Sequence, residues 1–263
     1  MSFLEKADKL SFVTPVAYDY RFAWAAIRSY YAIADEIVLG LDIDRISWNG
    51  KPFAFDDAEF KRGLKAVDPQ GKIKLVEGNF HSQGSAPDND TFERNELSKH
   101  CTRGNWIVQI DSDELLQNPH EFRAWMLKRR GPWLVLGRWT VVFKTFGDDY
   151  LVVDKHEDDF WISLATRRQG MYTGCRDTKE FTRQSPLHML HFSWGRTAEE
   201  LKQKLESWTH ANDFDTAKWF KFWQGVTLDN YKEFKDFHPI YGPDCPALRL
   251  ICKGDPGWVE PPK

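Results

Sequence analysis

The order of strand, helix and strand at the start of the chain restricts its fold more than any other feature. Residues 10–17, LSFVTPVA, form a short apolar and β-branched run, which is typical of a strand. In the next segment Phe22, Ala26 and Tyr30 recur at helical spacing. Residues 36–44, EIVLGLDID, then have the apolar character of a second buried strand. This order predicts a βαβ unit, and therefore an α/β fold with a mostly parallel sheet flanked by helices.

The rest of the chain continues with alternating helices and strands. The expected elements are a helix at 56–66, a strand at 73–80, a loop at 81–90, a helix from Thr91, a strand from Trp106, a helix after Asn118, strands within 132–168, a strand at 187–194 and a helix after Arg196. In the last of these helices, Thr197 and Glu200 predict a capping box. The residues that follow are rich in Pro, Gly and aromatic side chains. We therefore expect a C-terminal helical and aromatic extension.

The composition excludes several classes of protein. The 263 residues carry a net charge of −3, which provides no electrostatic footprint for a dedicated nucleic-acid binder. The four cysteines include no CxxC pair, so neither a zinc knuckle nor a redox motif is indicated. The N-terminal segment does not resemble a signal peptide, and no apolar run approaches the ~20 residues of a membrane span. We therefore expect a cytoplasmic protein.

The segment WIVQIDSDELL, residues 106–116, ends an apolar strand in a cluster of acidic residues. Asp111, Asp113 and Glu114 lie within four positions. Three adjacent carboxylates repel one another and raise at least one pKa unless a cation compensates them. A D-x-D spacing on a strand directs both aspartates to one face, where oxygen ligands suit Mg²⁺ or Mn²⁺. The alternative is a solvated turn in which an aspartate caps the following helix.

Together with LSFVTP and LDID, the segment ERNELSKHCTRGNWIVQIDSDE resembles the GT-A glycosyltransferases, in particular the inverting enzymes of family 2. The later segment HFSWGRTAEELKQK resembles a pattern found in some bacterial members. The resemblance implies a GT-A (Rossmann-like) fold and a nucleotide-diphosphate sugar donor bound through Mn²⁺ or Mg²⁺. It further implies a nucleotide-sugar-binding half at 1–118, an acceptor-binding half of the same domain at 119–195 and a C-terminal helical extension at 196–263.

The resemblance also implies roles for the acidic cluster. Asp113 is the first predicted metal ligand, and Asp111 contacts the metal or the ribose. Glu114 supports the metal ligands or bonds a sugar hydroxyl, and Ser112 belongs to the donor-binding segment. His191, from a late strand, completes the predicted metal site. For a single histidine, the competing interpretation is a hydrogen-bonded core residue.

Further donor contacts are predicted at strand ends and on helices. The expected contacts to base and ribose are Thr14, Pro15 and Asp42. A Thr-Pro pair also suits a turn without any ligand. Arg94 offers planar, multidentate donors to a phosphate or to an adjacent carboxylate, and Arg196 and Lys204 are further candidates for the diphosphate. A surface salt bridge explains Arg94 equally well, and a charged helix face explains the other two almost as well.

An inverting transfer needs a general base beside the acceptor hydroxyl. The resemblance loosely places this base at Asp177, in the segment TGCRDTKEF, with Asp158, Asp159 and Glu180 as rivals. Trp194 is the predicted acceptor contact, because aromatic rings suit the C–H faces of sugars. Core packing is the competing interpretation of Trp194 and of the other late aromatic residues.

The leading hypothesis is a metal-dependent glycosyltransferase acting on a glycan, a lipid-linked glycan or another hydroxyl acceptor. A metal-dependent nuclease or nucleotidyltransferase also uses strand-end acids, and a non-catalytic nucleotide-sugar-binding relative is a third hypothesis. A nucleobase in a nucleic acid is a less favoured acceptor. The segments MLKRRG and ATRRQG are basic, but the net charge of the chain is negative.

Overall fold

The structure is a computed structural model that describes residues 9–131, 133–155, 160–240 and 242–262. Its strands are β1 (Leu10–Val16), β2 (Glu36–Asp42), β3 (Ile73–Gly78), β4 (Trp106–Gln109), β5 (Glu114–Gln117), β6 (Trp133–Phe146), β7 (Asp149–Val153), β8 (Trp161–Thr166), β9 (Phe181–His191) and β10 (Leu248–Ile251). Its α-helices are α1 (Tyr20–Tyr30), α2 (Asp57–Val67), α3 (Ala86–Lys99), α4 (Pro119–Met126), α5 (Ala198–Ser207) and α6 (Thr216–Gly225).

The first four strands form a parallel sheet in the order β3-β2-β1-β4. Their side chains alternate between two apolar layers. Phe12 and Leu39 pack on one face in a core that includes residues of α1. Val13 and Val38 pack on the other face with Leu97 of α3. Burial on both faces by helices confirms the predicted α/β class with a Rossmann-like core.

The remaining strands extend this sheet, mostly in antiparallel fashion. β8 lies antiparallel to β4, and β6, β7 and β10 continue outward in antiparallel pairs. β9 pairs in parallel with β6 and antiparallel with β5. Both halves of the chain therefore contribute to one ten-stranded sheet. Across the described residues, no helix is both long and apolar enough for a membrane span.

The late aromatic residues are largely core residues. Trp194, Trp219 and Trp223 are buried together between α5, α6 and the β6–β7 region. The Trp223 indole donates a hydrogen bond to the Phe143 carbonyl at 2.9 Å. The predicted capping box of α5 is confirmed, because the Thr197 hydroxyl accepts from the Glu200 amide while the Glu200 carboxylate accepts from the Thr197 amide. The C-terminal segment thus packs as a helical and aromatic layer.

Two local predictions are wrong. The segment 81–90 is not all loop, because α3 begins at Ala86, with the Ser85 side chain capping the Asp88 amide and Pro87 in the first turn. The expected helix start at Thr91 lies more than a turn inside this helix. In addition, Asp111 and Asp113 do not lie on a strand: β4 ends at Gln109 and β5 begins at Glu114, with a tight turn between them.

Gly40 of β2 sets the distance at which α3 crosses the sheet. A Cβ atom at this position would overlap Glu93 Oε1 and lie 2.5 Å from Leu97 Cδ1. Both neighbours belong to buried residues of α3, so neither has free space into which to move. The glycine therefore allows α3 to lie directly on β2. This contact also sets the position of Arg94, which follows Glu93 on the helix.

We predict that Gly40→Ala lowers the free energy of unfolding by about 1–3 kcal/mol through overpacking. The matched control is Gly225→Ala at the end of α6, where an added Cβ meets nothing within 4 Å. Urea titrations of the two variants test the difference. Equal stabilities would show that α3 can shift away from the strand at no cost.

Candidate active site

The candidate site is a cavity of about 460 Å³ at the carboxyl ends of the parallel strands, where open α/β sheets bind ligands. Most of the predicted site residues line it: Pro15, Asp42, Arg94, Asp111, Ser112, Asp113, Asp177, His191, Trp194 and Lys204. They come from β1, β2, α3, the β4–β5 turn, the segment before β9, the end of β9, the segment after it and α5. The fold therefore gathers residues that are far apart in the sequence.

The β4–β5 turn is held by its own hydrogen bonds. The Glu114 amide donates to the Asp111 carbonyl at 3.1 Å, and the Asp111 amide donates to Glu114 Oε2 at 2.8 Å. The Phe192 amide donates to the Asp113 carbonyl at 2.8 Å. Both aspartate side chains project from this fixed turn and line the cavity.

Basic side chains surround the Asp113 carboxylate. Its Oδ2 atom accepts from Arg196 Nη2 at 2.5 Å and from Lys204 Nζ at 2.7 Å. Its Oδ1 atom lies 3.3 Å from His191 Nε2. Burial acts to raise the pKa of Asp113, but Lys204, His191 and Arg196 outweigh it and hold this pKa well below its usual range. Asp113 is therefore ionised and compensated by the protein itself.

Asp111 and Glu114 have arginine partners of their own. Asp111 Oδ1 accepts from Arg94 Nη2 at 2.8 Å, and Oδ2 accepts from Arg176 Nη2 at 2.5 Å. The same Arg176 atom lies 2.8 Å from Glu114 Oε1. Burial acts to raise the pKa of Asp111, but Arg176 and Arg94 lower it to about 2. The pKa of neither aspartate is raised, because four basic side chains supply the compensating positive charge.

This arrangement bears on the predicted metal site at Asp111, Asp113 and His191, which stays a prediction. All four aspartate oxygens already face a basic side chain. In the described part of the chain, these three residues do not bring their ligand atoms close enough together to hold one metal ion. A divalent ion here would also be repelled by Arg196 and Lys204 at short range. As arranged, the donor set does not fit Mn²⁺ or Mg²⁺.

A different group could hold a metal ion. Asp42, Asp44 and His81 place one ligand atom each within 4.8 Å of one another. Asp42 is buried at the end of β2, where Oδ2 accepts from the Phe80 amide and lies 2.8 Å from His81 Nδ1. Its Oδ1 atom accepts from the Asp44 and Ile46 amides. Asp42 therefore holds together the two loops that follow β2 and β3.

Three predicted contacts do not line the cavity. Thr14 is fully buried, and its hydroxyl bonds the Tyr30 hydroxyl at 2.9 Å. Glu114 is also fully buried. Arg196 lies behind Asp113, with Nη2 3.0 Å from Asp19 Oδ2 and the guanidinium over the Phe22 ring. These three residues are buried behind the cavity lining and contact a bound ligand only through the residues that they hold in place.

The candidates for a general base occupy different surroundings. Asp177 is exposed at the cavity wall, and its Oδ1 atom accepts a hydrogen bond from the Ser163 hydroxyl. Glu180 is instead paired with Arg168 at 2.9 Å and accepts from the Thr166 hydroxyl. Asp158 and Asp159 lie outside the described residues. Of the described candidates, Asp177 alone lines the cavity.

Sequence reasoning missed several residues of the site. The segment TGCRDTKEF predicts a role for Asp177 alone, yet the neighbouring Arg176 is buried and pairs with two acids. Trp139 stacks on His191 with ring centres 4.2 Å apart, and Glu93 lies buried on the wall. A β-strand tryptophan and a helical glutamate carry no motif, so only the tertiary structure identifies them.

Glu93 has an unusual environment for a carboxyl group. Its Oε2 atom accepts from the Trp48 indole at 2.6 Å, and its buried Oε1 atom has no hydrogen-bond partner among the described residues. Burial raises the pKa of Glu93 to about 8. In the folded protein the Glu93 carboxyl is therefore mostly protonated near neutral pH.

Because the pKa of Glu93 is raised in the folded state, its contribution to stability is present at low pH and is lost as the pH rises to about 8. We predict that the ionisation of Glu93 lowers the free energy of unfolding by roughly 1.4 kcal/mol for each pH unit as the pH rises toward about 8. Glu93→Gln should flatten this dependence, whereas Glu96→Gln on the same helix should not. Urea titrations between pH 5.5 and 8.5 measure the slopes, and parallel slopes for wild type and Glu93→Gln would contradict the assignment.

Asp113→Asn separates the two electrostatic interpretations of the turn. If its acids were uncompensated, removing one charge would stabilise the metal-free protein. Because Arg196 and Lys204 are buried partners, we predict a loss of about 3 kcal/mol instead. The control is Asp154→Asn, in an exposed pair with Arg249, for which about 0.5 kcal/mol or less is expected. Urea titrations in EDTA measure whether Asp113→Asn lowers or raises the free energy of unfolding.

Comparison with known proteins gives no family assignment. No protein-family model matches the sequence, and no curated protein matches it. HddC from Yersinia pseudotuberculosis is similar at TM-score 0.37 and 8% identity, covering 70% of this chain and 93% of that one. HddC complexed with GMP-PN gives TM-score 0.39 and 8% identity, covering 74% and 98%. A UDP-glucose pyrophosphorylase complexed with UDP-glucose gives TM-score 0.28 and 10% identity, covering 60% and 74%. Similarity at these TM-scores does not support a functional inference, so the function has to be inferred from the site of this chain.

Proposed function

We propose that the protein is a glycosyltransferase that moves a sugar from a nucleotide-diphosphate sugar to an acceptor hydroxyl, with inversion at the anomeric carbon. The observation that carries the proposal is the convergence of residues from both halves of the chain on one cavity. Its volume of about 460 Å³ lies within the range of small-molecule sites. The acidic turn lies between a wall built by β1 and β2 and a wall built by β6, β8 and β9.

The wall from β1 and β2 suits the nucleoside. Pro15, Tyr18 and Trp48 provide apolar and aromatic surface, and Asp42 lies beside them. Planar aromatic surface favours a base by stacking. Arg94, a partner of Asp111, lies over the Trp48 ring of this wall, so the diphosphate of a bound nucleotide would lie toward the acidic turn.

The opposite wall suits the acceptor. Trp139, Phe160 and Trp194 line it with Asp177, and aromatic rings favour the C–H faces of a sugar ring. The basic segments 126–131 and 165–170 contribute no residue to the cavity lining, so nothing there favours a nucleic acid. We therefore propose a glycan or lipid-linked glycan as acceptor.

Asp177 is the proposed general base. The acceptor oxygen attacks the anomeric carbon as the bond from that carbon to the phosphate oxygen breaks. The acceptor proton passes to the Asp177 carboxylate, and the nucleoside diphosphate leaves. The Ser163 hydroxyl fixes Oδ1 of this carboxylate, which orients the other oxygen for the proton.

We predict that the protein releases nucleoside diphosphate from one or more nucleotide-diphosphate sugars, and that Asp177→Asn lowers this rate about 100-fold or more. The control is Asp229→Asn, an exposed aspartate that does not line the cavity. A coupled assay for nucleoside diphosphate release over a panel of sugar donors, with and without oligosaccharides, measures the rates. Undiminished release by Asp177→Asn would remove Asp177 as the base.

Two further measurements, pyrophosphate release from nucleoside triphosphate with sugar 1-phosphate and direct binding of the sugar donors, distinguish the alternatives. A nucleotidyltransferase would form a nucleotide sugar from a nucleoside triphosphate and a sugar 1-phosphate, with release of pyrophosphate. A non-catalytic relative would bind donors and release nothing. Either result contradicts glycosyl transfer and retains the nucleotide-binding cavity.

A further inference from the structure

The ammonium group of Lys204 is paired with Asp113, the first predicted metal ligand. Its Nζ atom lies 2.7 Å from Asp113 Oδ2. The side chain lines the cavity although only 8% of it is exposed. An ammonium group has three N–H donors, and one of them is directed to Asp113. Among the described residues Nζ has no other hydrogen-bond acceptor, so the other two donors are available to an anion that enters the cavity.

Arg176 presents a second unused donor at the same turn. Its Nη2 atom is shared between Asp111 and Glu114. Its Nη1 atom is buried and has no hydrogen-bond partner among the described residues. A buried guanidinium nitrogen without a partner costs free energy until a ligand supplies an acceptor. Since Arg176 lines the cavity, a phosphate oxygen is a suitable acceptor.

The basic side chains around the turn already balance its carboxylates, so no metal ion is needed to compensate them. The acids of this network are Asp19, Asp90, Asp111, Asp113 and Glu114, and its bases are Arg94, Arg176, Arg196 and Lys204. The network is therefore within one unit of neutrality before any ligand binds. A divalent ion at Asp113 would have to displace Lys204 or bind beside it, and both alternatives cost free energy.

We propose that Lys204 and Arg176 hold the phosphate groups of the donor, and that donor binding needs no divalent metal ion. This inference rests on the proposed function, because it concerns the diphosphate of that donor. On transfer, negative charge develops on the departing phosphate oxygen. The two basic groups stabilise this charge by charge-assisted hydrogen bonds, which is the part a metal ion plays in metal-dependent sites.

The test is binding of UDP, GDP, ADP and CDP to the full chain by isothermal titration calorimetry. Each nucleotide is measured in EDTA, in Mg²⁺ and in Mn²⁺. We expect at least one nucleotide to bind in EDTA, with a Kd within about 3-fold of its value with either metal. Binding that appears only with a metal ion would overturn this inference while leaving the proposed nucleotide site intact. Absence of binding under all three conditions would overturn the proposed function as well.

Variants then test the two residues. We expect Lys204→Met and Arg176→Met each to weaken nucleotide binding in EDTA by about 10-fold or more, since each removes a charge-assisted hydrogen bond. Lys202→Met is the matched control, because Lys202 is exposed on the same helix, and its Kd should not change. Thermal unfolding confirms that each variant is folded. If both folded variants bind as wild type does, the assignment of the phosphate contacts to these residues is overturned.

Discussion

The pairing of the β4–β5 turn with four basic side chains is the interaction on which the rest of the site depends. Asp111 and Asp113 take their partners from positions 17, 83 and 91 residues away in sequence, and Glu114 takes one 62 residues away. These partners lie on α3, before β9 and at α5. A single turn thereby ties the parallel half of the sheet to the segments that follow it, and the cavity forms where they meet.

Much of this architecture could be predicted from sequence because it depends on local patterns. Apolar runs and helical spacing identify β1, α1 and β2, and the rule that ligands bind at carboxyl ends of parallel strands locates the cavity. The start of α3 was missed because the segment 81–90 has the composition of a loop. Its cap, Ser85 with Asp88 and Pro87 in the first turn, is nevertheless visible in the sequence.

The electrostatic character of the acidic turn could not be predicted, since one short motif allows two solutions. Carboxylates at a strand end can be compensated by a metal ion or by side chains of the protein, and the letters D-S-D-E are the same in both cases. The choice depends on Arg176 and Lys204, whose partners are set by tertiary structure. Arg176 is buried whereas its neighbour Asp177 is exposed, although both line the cavity.

A buried network of this kind is rarely retained for stability. Apolar residues of similar volume often replace buried ion pairs at no cost or with a gain in stability, because desolvation offsets much of the attraction. What an apolar replacement cannot supply is a set of charged donors held at fixed positions. All four basic side chains are buried, and Arg94, Arg176 and Lys204 also line the cavity. If these donors hold the phosphates as proposed, they need little reorganisation when the ligand binds. The loss of stability that accompanies burial of the network would then be offset by a binding surface formed in advance.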